Sequence, residues 1–215
     1  MSLLLFVSIS GCQVAAIPVA TAMNLANVAD EHTAGNGARI LWDQQREYVR
    51  QLRAHGDPMG DYLYALGNAQ GWIGDTSDPL QIRSLFEKAA DEGSNDAKIV
   101  LGIFYFNGVV PSSFVGVNSI RLPDNLVDHQ RGLQLIREGM RVRCTYAEPV
   151  VSAYANRAYL RYVSAASRIW PNYRDGQYRR NASGSYVTIL EKDRRLEKEW
   201  HDLDTKCHIS GATTE

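Results

Sequence analysis

Residues 85–110, LFEKAADEGSNDAKIVLGIFYFNGVV, carry the strongest structural signal in the chain. Leu85, Phe86, Ala89 and Ala90 recur at helical spacing and continue upstream to Ile82, which puts them on one stripe of a helix opened by Asp78 as N-cap and Pro79 in the first turn. Gly93 ends that helix, because the left-handed conformation that closes a last turn carries no steric cost for glycine. Ala97, Val100, Leu101, Phe104 and Tyr105 make a second stripe, which stops at Gly108. The spacing therefore predicts an antiparallel helix pair. Ala90 and Gly102 are small where neighbouring helices must approach closely.

On either side of this pair the same logic recurs. In MGDYLYALGNAQGWIG, Tyr62, Ala65, Leu66 and Ala69 follow a helical stripe that ends at Gly71 and Gly74, and Leu66 and Leu101 stand 35 positions apart, each followed by glycine. Before it, Leu41, Tyr48, Val49 and Leu52 share one side of a helix closed by Gly56 and Pro58. Toward the C-terminus, DHQRGLQLIREGMRVRC and YAEPVVSAYANRAYLRY read as two more antiparallel helices. The last segment, SYVTILEKDRRLEKEWHDLDTK, puts Tyr186, Ile189, Leu190, Leu196, Trp200 and Leu203 on one face and reads as a C-terminal capping helix. The expectation is an all-α chain, a short α-solenoid of antiparallel helix pairs in which each pair buries its faces against the next.

Residues 85–110 resemble the Sel-one-like repeat, a relative of the tetratricopeptide repeat. Ala89, Ala90, Gly93, Ala97, Leu101, Gly102, Tyr105 and Gly108 occupy the positions of its Ala-Ala, Gly, Ala, Leu-Gly, Tyr and Gly signature in order. The likeness covers residues 60–110 well and 128–165 poorly, since Gly139-Met140 stands where Ala-Ala is expected and no Leu-Gly follows. A long connection, 109–127, interrupts the array.

The N-terminus carries a different signal. Leu3 to Ile9 is an apolar run of the length of an export-signal core, and Ile9-Ser10-Gly11-Cys12 resembles a bacterial lipobox, whose cysteine takes the lipid and becomes the mature N-terminus; the alternative is an ordinary buried strand at the N-terminus. No Lys or Arg precedes Leu3, which implies a start upstream of Met1. The expected organisation is a signal segment over 1–11, a lipidated tether over 12–37 and a helical repeat domain over 38–215. Gln13 after the cysteine implies, by the same resemblance, a periplasmic lipid anchor in the outer membrane. The chain has three cysteines. With Cys12 lipidated, Cys144 and Cys207 remain either as a disulfide in an oxidising compartment or as two buried thiols.

No catalytic constellation is evident. The five histidines form no His-Glu-x-x-His pair, and no nucleophile elbow, phosphate-binding loop or dinucleotide fingerprint occurs. The reading is a protein that is not an enzyme, with no metal and no cofactor. A formal net charge of −1 supplies no field for nucleic acid. The least bland segment is the last third, where Tyr154, Tyr159, Tyr162, Trp170, Tyr173 and Tyr178 interleave with Arg157, Arg161, Arg168, Arg174, Arg179 and Arg180. Tyr, Trp and Arg dominate binding hot spots. The partner-binding set read from the sequence is Phe114, Ile120 and Arg121 in the connection, with Arg157, Arg161, Arg168, Trp170, Tyr173, Arg174 and Tyr178. The alternative is that the tyrosines are core of a repeat helix and the arginines are solvated. Anchored Sel-one-like lipoproteins are similar to the immunity proteins that neutralise type VI secretion phospholipase effectors. That resemblance implies a protein partner, a toxin encoded beside this chain; a general envelope scaffold is the alternative.

Overall fold

The computed structural model describes residues 39–111, 120–152, 157–180 and 183–211. The signal segment, Cys12, the tether and Phe114 lie outside them. In order, the elements are α1 (39–54), α2 (Pro58–Ala69), α3 (Pro79–Asp91), α4 (Asn95–Asn107), a 3-10 turn Asp124–Leu126, α5 (His129–Met140), β1 (Thr145–Ser152), β2 (Arg157–Ser164), a 3-10 turn Ala166–Arg168, α6 (Trp170–Asp175), β3 (Gln177–Arg180), β4 (Tyr186–Leu190) and α7 (Arg194–Gly211). The chain divides into two units, Met1–Asp43 with Val151–Ala158, and Gln44–Val150 with Tyr159–Glu215. The described part of the first is the opening turn of α1 and the ends of β1 and β2. Every other described residue belongs to the second unit.

Short polar side chains set where the helices begin. Asp57, Asp78, Ser94 and Asp128 each accept a hydrogen bond from a backbone N–H in the first turn of α2, α3, α4 and α5, at 2.9, 3.1, 3.2 and 2.9 Å. Asp193 caps α7 through the N–H groups of Arg195 and Leu196. At the end of α3, Gly93 has φ +103° and the following Ser94 N–H returns to the Ala89 carbonyl, so the chain reverses within two residues.

The helices pack in sequence order, α2 on α3, α3 on α4 and α4 on α5. On α4 every residue from Asp96 to Phe106 except Lys98 is buried, so this helix is enclosed on more faces than the single stripe expected of it. Its closest neighbour is α5. A Cβ at Gly102 would lie 2.7 Å from the Gly132 carbonyl oxygen, and one at Gly132 would lie 2.7 Å from the Gly102 carbonyl oxygen, so two glycines let the backbones touch. Gly139, one helical heptad on, sits against Ile99 in the same way.

The expectation of an all-α chain is corrected: the fold is largely helical, with two two-stranded sheets. In YAEPVVSAYANRAYLRY, read as a helix, the described residues belong instead to β1 and β2, which pair. Pro149 breaks an interior helix, and Val150, Val151, Tyr159, Tyr162 and Val163 favour a pleated strand. Tertiary contacts complete the choice. The Ala147 N–H donates to Asp96 at the start of α4 at 2.6 Å, and its carbonyl accepts from the Tyr62 hydroxyl of α2, so one edge of β1 is satisfied by helix side chains. Arg143 holds the same Asp96 with 2.7 Å contacts to both carboxylate oxygens. Tyr159 and Tyr162 are exposed strand residues, not core of a helix.

The final segment is corrected likewise. Tyr186 to Leu190 is strand β4, antiparallel to β3, and the helix begins only at Arg194. Gly184, at φ +83°, and the Asp193 cap bracket the strand. Helix α7 lies against α6 and the Ala166–Arg168 turn, with Trp200 fully buried and the Arg137 guanidinium of α5 over its ring at 5.4 Å. Cys144, after α5, is joined to Cys207 in α7 by a disulfide that closes a separation of 63 residues. Among the described residues no helix is long and apolar enough to cross a membrane.

Candidate functional site

The arginines and aromatics singled out in the sequence separate by what they touch. Glu148 on β1 is fully buried, and a buried carboxylate must be paired. Arg161 Nη2 stands 2.7 Å and Arg168 Nη2 3.6 Å from its two oxygens, and Arg168 Nε donates to the Tyr146 hydroxyl at 2.9 Å. Both arginines therefore hold β1, β2 and the following turn together. Burial pushes the Tyr146 phenol up to about 12, a rise that Arg168 opposes and Glu148 reinforces.

Tyr173 is 4% exposed and packs against Phe106 with ring centroids 5.8 Å apart, which makes it core. Trp170 donates to Asp204 of α7 at 3.1 Å and meets the His201 ring edge-on at 5.3 Å. Arg174 lies over Trp170 and pairs with Asp175 at 2.7 Å. Trp170 thus fastens α6 to α7, Tyr173 ties α6 to α4, and Arg174 closes on neighbours within α6. Ile120 is half-buried, its carbonyl accepting from Val110 N–H. Arg157 is exposed at the start of β2 and belongs to the first unit.

Arg121 and Tyr178 do come together. They line a cleft of about 1020 Å³ whose one side is the end of α4 with the connection into α5, and whose other side is β3 with Ile189 of β4. Its floor is a closed amide network. Gln177 Nε2 donates to Asn107 Oδ1 at 3.2 Å and to Asn172 Oδ1 at 2.9 Å, leaving its Oε1 as an acceptor 3.3 Å from His129 Nε2. That geometry places the histidine proton on Nε2. Asn172 in turn donates to the Arg168 carbonyl at 2.9 Å, so the floor is tied to the α6 end of the domain. The Tyr178 ring rests on Gly176, where a Cβ would come within 2.9 Å of its hydroxyl, and φ is +75°.

The charge of the cleft is lopsided. Arg121, Arg179 and Arg180 line it against one acid, Asp124, and Asp124 is paired with Arg179. Arg180 lies over the Tyr186 ring at 5.2 Å; among the described residues neither it nor Arg121 has an acidic partner. Beyond the cleft the β3–β4 hairpin is exposed on both faces, with Tyr186 at 69% and Val187 and Ile189 also open to solvent. A two-stranded hairpin is marginal by itself; here Gln177 and the Arg179–Asp124 pair anchor it.

The set of binding residues read from the sequence omitted Arg179, Arg180, His129 and Gln177. The Tyr178-Arg179-Arg180 run was visible, and an arginine doublet beside an exposed aromatic was the available signal; nothing local marks Gln177. The arrangement contains no nucleophile paired with a base, and among the described residues no group of acidic, His and Cys side chains could hold a metal ion. It offers guanidinium donors, an aromatic wall and a rigid polar floor. Compared with protein-family models, curated proteins and solved structures, the chain matches none.

Proposed function

We propose that this chain is a lipid-anchored envelope protein that works by holding another protein, as an immunity protein that covers a secreted phospholipase effector. The observation that carries the reading is the cleft with its exposed hairpin. Arg161, Arg168, Trp170, Tyr173 and Arg174 close on groups inside the domain, whereas Arg121, Tyr178 and Arg180 are presented to solvent on a pre-organised floor. Exposed Tyr and Arg around a fixed concavity suit protein docking, because they bring large area and directional donors at low entropic cost. The α3–α4 pair, which carries the signature of residues 85–110, would with its neighbours α2 and α5 be the remnant of a Sel-one-like array, an assignment supported by packing between sequence neighbours and by the Gly102–Gly132 approach. The Cys144–Cys207 bridge supports an oxidising compartment, and the lipobox would set the anchor.

The mechanism on this reading is steric. The toxin would be seated on the cleft and hairpin with its active-site mouth covered, and the anchor would hold the complex at the membrane where the toxin acts. The test is co-expression of the chain with the product of the adjacent gene, exported to the periplasm. Protection of the cells, and its loss on Cys12→Ala together with lipid labelling, is the expected result. If the neighbouring product is not toxic, or kills equally with and without this chain, the immunity reading is wrong and an envelope scaffold becomes the better description.

A further inference from the structure

We infer that the cleft takes an extended acidic segment of the protein partner, added as a third strand along the open edge of β3, with its carboxylates on Arg121 and Arg180. The inference deepens the docking reading and rests on it. Successive side chains of a strand point to opposite faces, so a cleft beside one face is lined by alternate residues. All four residues of β3, Gln177, Tyr178, Arg179 and Arg180, line this one, together with Ile189 of β4, so the cleft follows the length of β3 and takes in its edge as well as part of one face of the hairpin.

That edge is open. The second sheet has only β3 and β4, and among the described residues no other backbone hydrogen bond reaches 177–180. In an antiparallel pair alternate N–H and C=O groups point away from the partner strand, and an unpaired row of this kind is a template for another chain. Backbone hydrogen bonds along it would supply affinity, and the side chains flanking it would supply specificity.

The flanking side chains choose the occupant. Arg179 is neutralised by Asp124, which leaves Arg121 and Arg180 as uncompensated guanidiniums, a local positive excess in a chain of formal net charge −1. Guanidinium pairs with carboxylate through two parallel hydrogen bonds. Val109, Val127, Ile189 and the Tyr178 ring line the rest of the cleft, so the segment alternates acidic and apolar side chains. The arginines on the edge repel a second copy of β3, which argues for a different protein rather than self-pairing.

The experiment pans the full chain, in detergent, against a phage-displayed library of random octapeptides. Enriched peptides are expected to be acidic with intervening apolar residues. Affinity for a synthetic copy of one of them should fall about tenfold in Arg121→Ala and in Arg180→Gln, the size of one lost charge-assisted hydrogen bond. Arg180→Glu should turn the selection toward basic peptides, and a proline scan should show loss at alternate positions of the peptide. Thermal melts accompany each variant, and the peptide-side proline scan needs no folded variant at all. No enrichment, a neutral or basic pool from the wild type, arginine variants of unchanged affinity, or proline tolerated throughout each overturn the inference. Those outcomes leave the protection assay standing, whereas lost protection with acidic peptides still selected sinks the immunity reading alone.

Discussion

Gly102→Ala tests how α4 and α5 cross. The added Cβ would meet the Gly132 carbonyl oxygen at 2.7 Å, Ile136 Cγ1 at 2.7 Å and Ile136 N at 2.9 Å. Two of the three are backbone atoms and cannot rotate away, so the helices must separate by several tenths of an ångström. Overpacking costs about 1–3 kcal/mol, and contacts under 3 Å to backbone atoms put this case in the upper part of the range, about 2–3 kcal/mol. Alanine recovers about 1 kcal/mol of helix propensity over glycine. The net loss expected is about 1–2 kcal/mol, read by urea unfolding, or a fall in Tm of roughly 2–8 °C for a domain of this size. Lys98→Ala, on the open side of the same helix, should stay within about 0.5 kcal/mol. Gly132→Ala meets the reciprocal wall, Gly102 O and Phe106 N at 2.7 Å. Because the first alanine already parts the helices, the double variant should lose less than the sum of the singles. A Gly102→Ala protein that melts at or above wild type, or a double variant whose losses simply add, refutes the interlocked crossing.

Reducing the Cys144–Cys207 bridge, or Cys207→Ser, frees a 63-residue closure and should cost about 4 kcal/mol on the chain-entropy estimate, seen as a lower urea midpoint under reductant. Arg161→Ala takes the 2.7 Å partner from the fully buried Glu148 carboxylate and should cost about 3 kcal/mol, whereas Glu148→Ala removes the buried charge and leaves guanidiniums that reach solvent, and should cost clearly less in the same unfolding assay. Tyr146 should titrate near pH 12, followed by phenolate absorbance. Its folded pKa is raised, so the stability it contributes is complete below about pH 10, and is lost as pH rises toward 12; Tyr146→Phe should remove that alkaline step.

The helices from Pro58 to Met140 were legible because their signals are local. An Asp or Ser cap, a stripe at helical spacing and a glycine at the end lie within a dozen residues of one another, and the chemistry of each is the same in any fold. Gly102 was readable as a close approach for the same reason, although its partner Gly132 was not named. The strands were not legible. YAEPVVSAYANRAYLRY carries both a helical spacing of small residues and a pleated spacing of Val and Tyr, and the balance is tipped by Asp96 and Tyr62, which take the Ala147 N–H and carbonyl from 51 and 85 positions away.

The candidate site divides the same way. Composition marked the last third as rich in Arg and Tyr, and one side of the cleft lies there, while the other comes from residues 107–129. Which arginine faces the cleft and which holds the fold is not a property of the arginine. It depends on where acids are buried: Glu148 draws in Arg161 and Arg168, Asp124 draws in Arg179, and Arg121 and Arg180 are left facing the cleft. The helical class, the caps, the close-packing glycines and the pool of arginines and aromatics could all be read from the order of residues, because each follows from neighbours in the chain. The two sheets and the division of labour among the arginines emerged with folding alone, because each depends on which distant group removes water from a charge or completes a backbone hydrogen bond; for Cys144 and Cys207 folding decided for the bridge over the two thiols that the cysteine count also allowed.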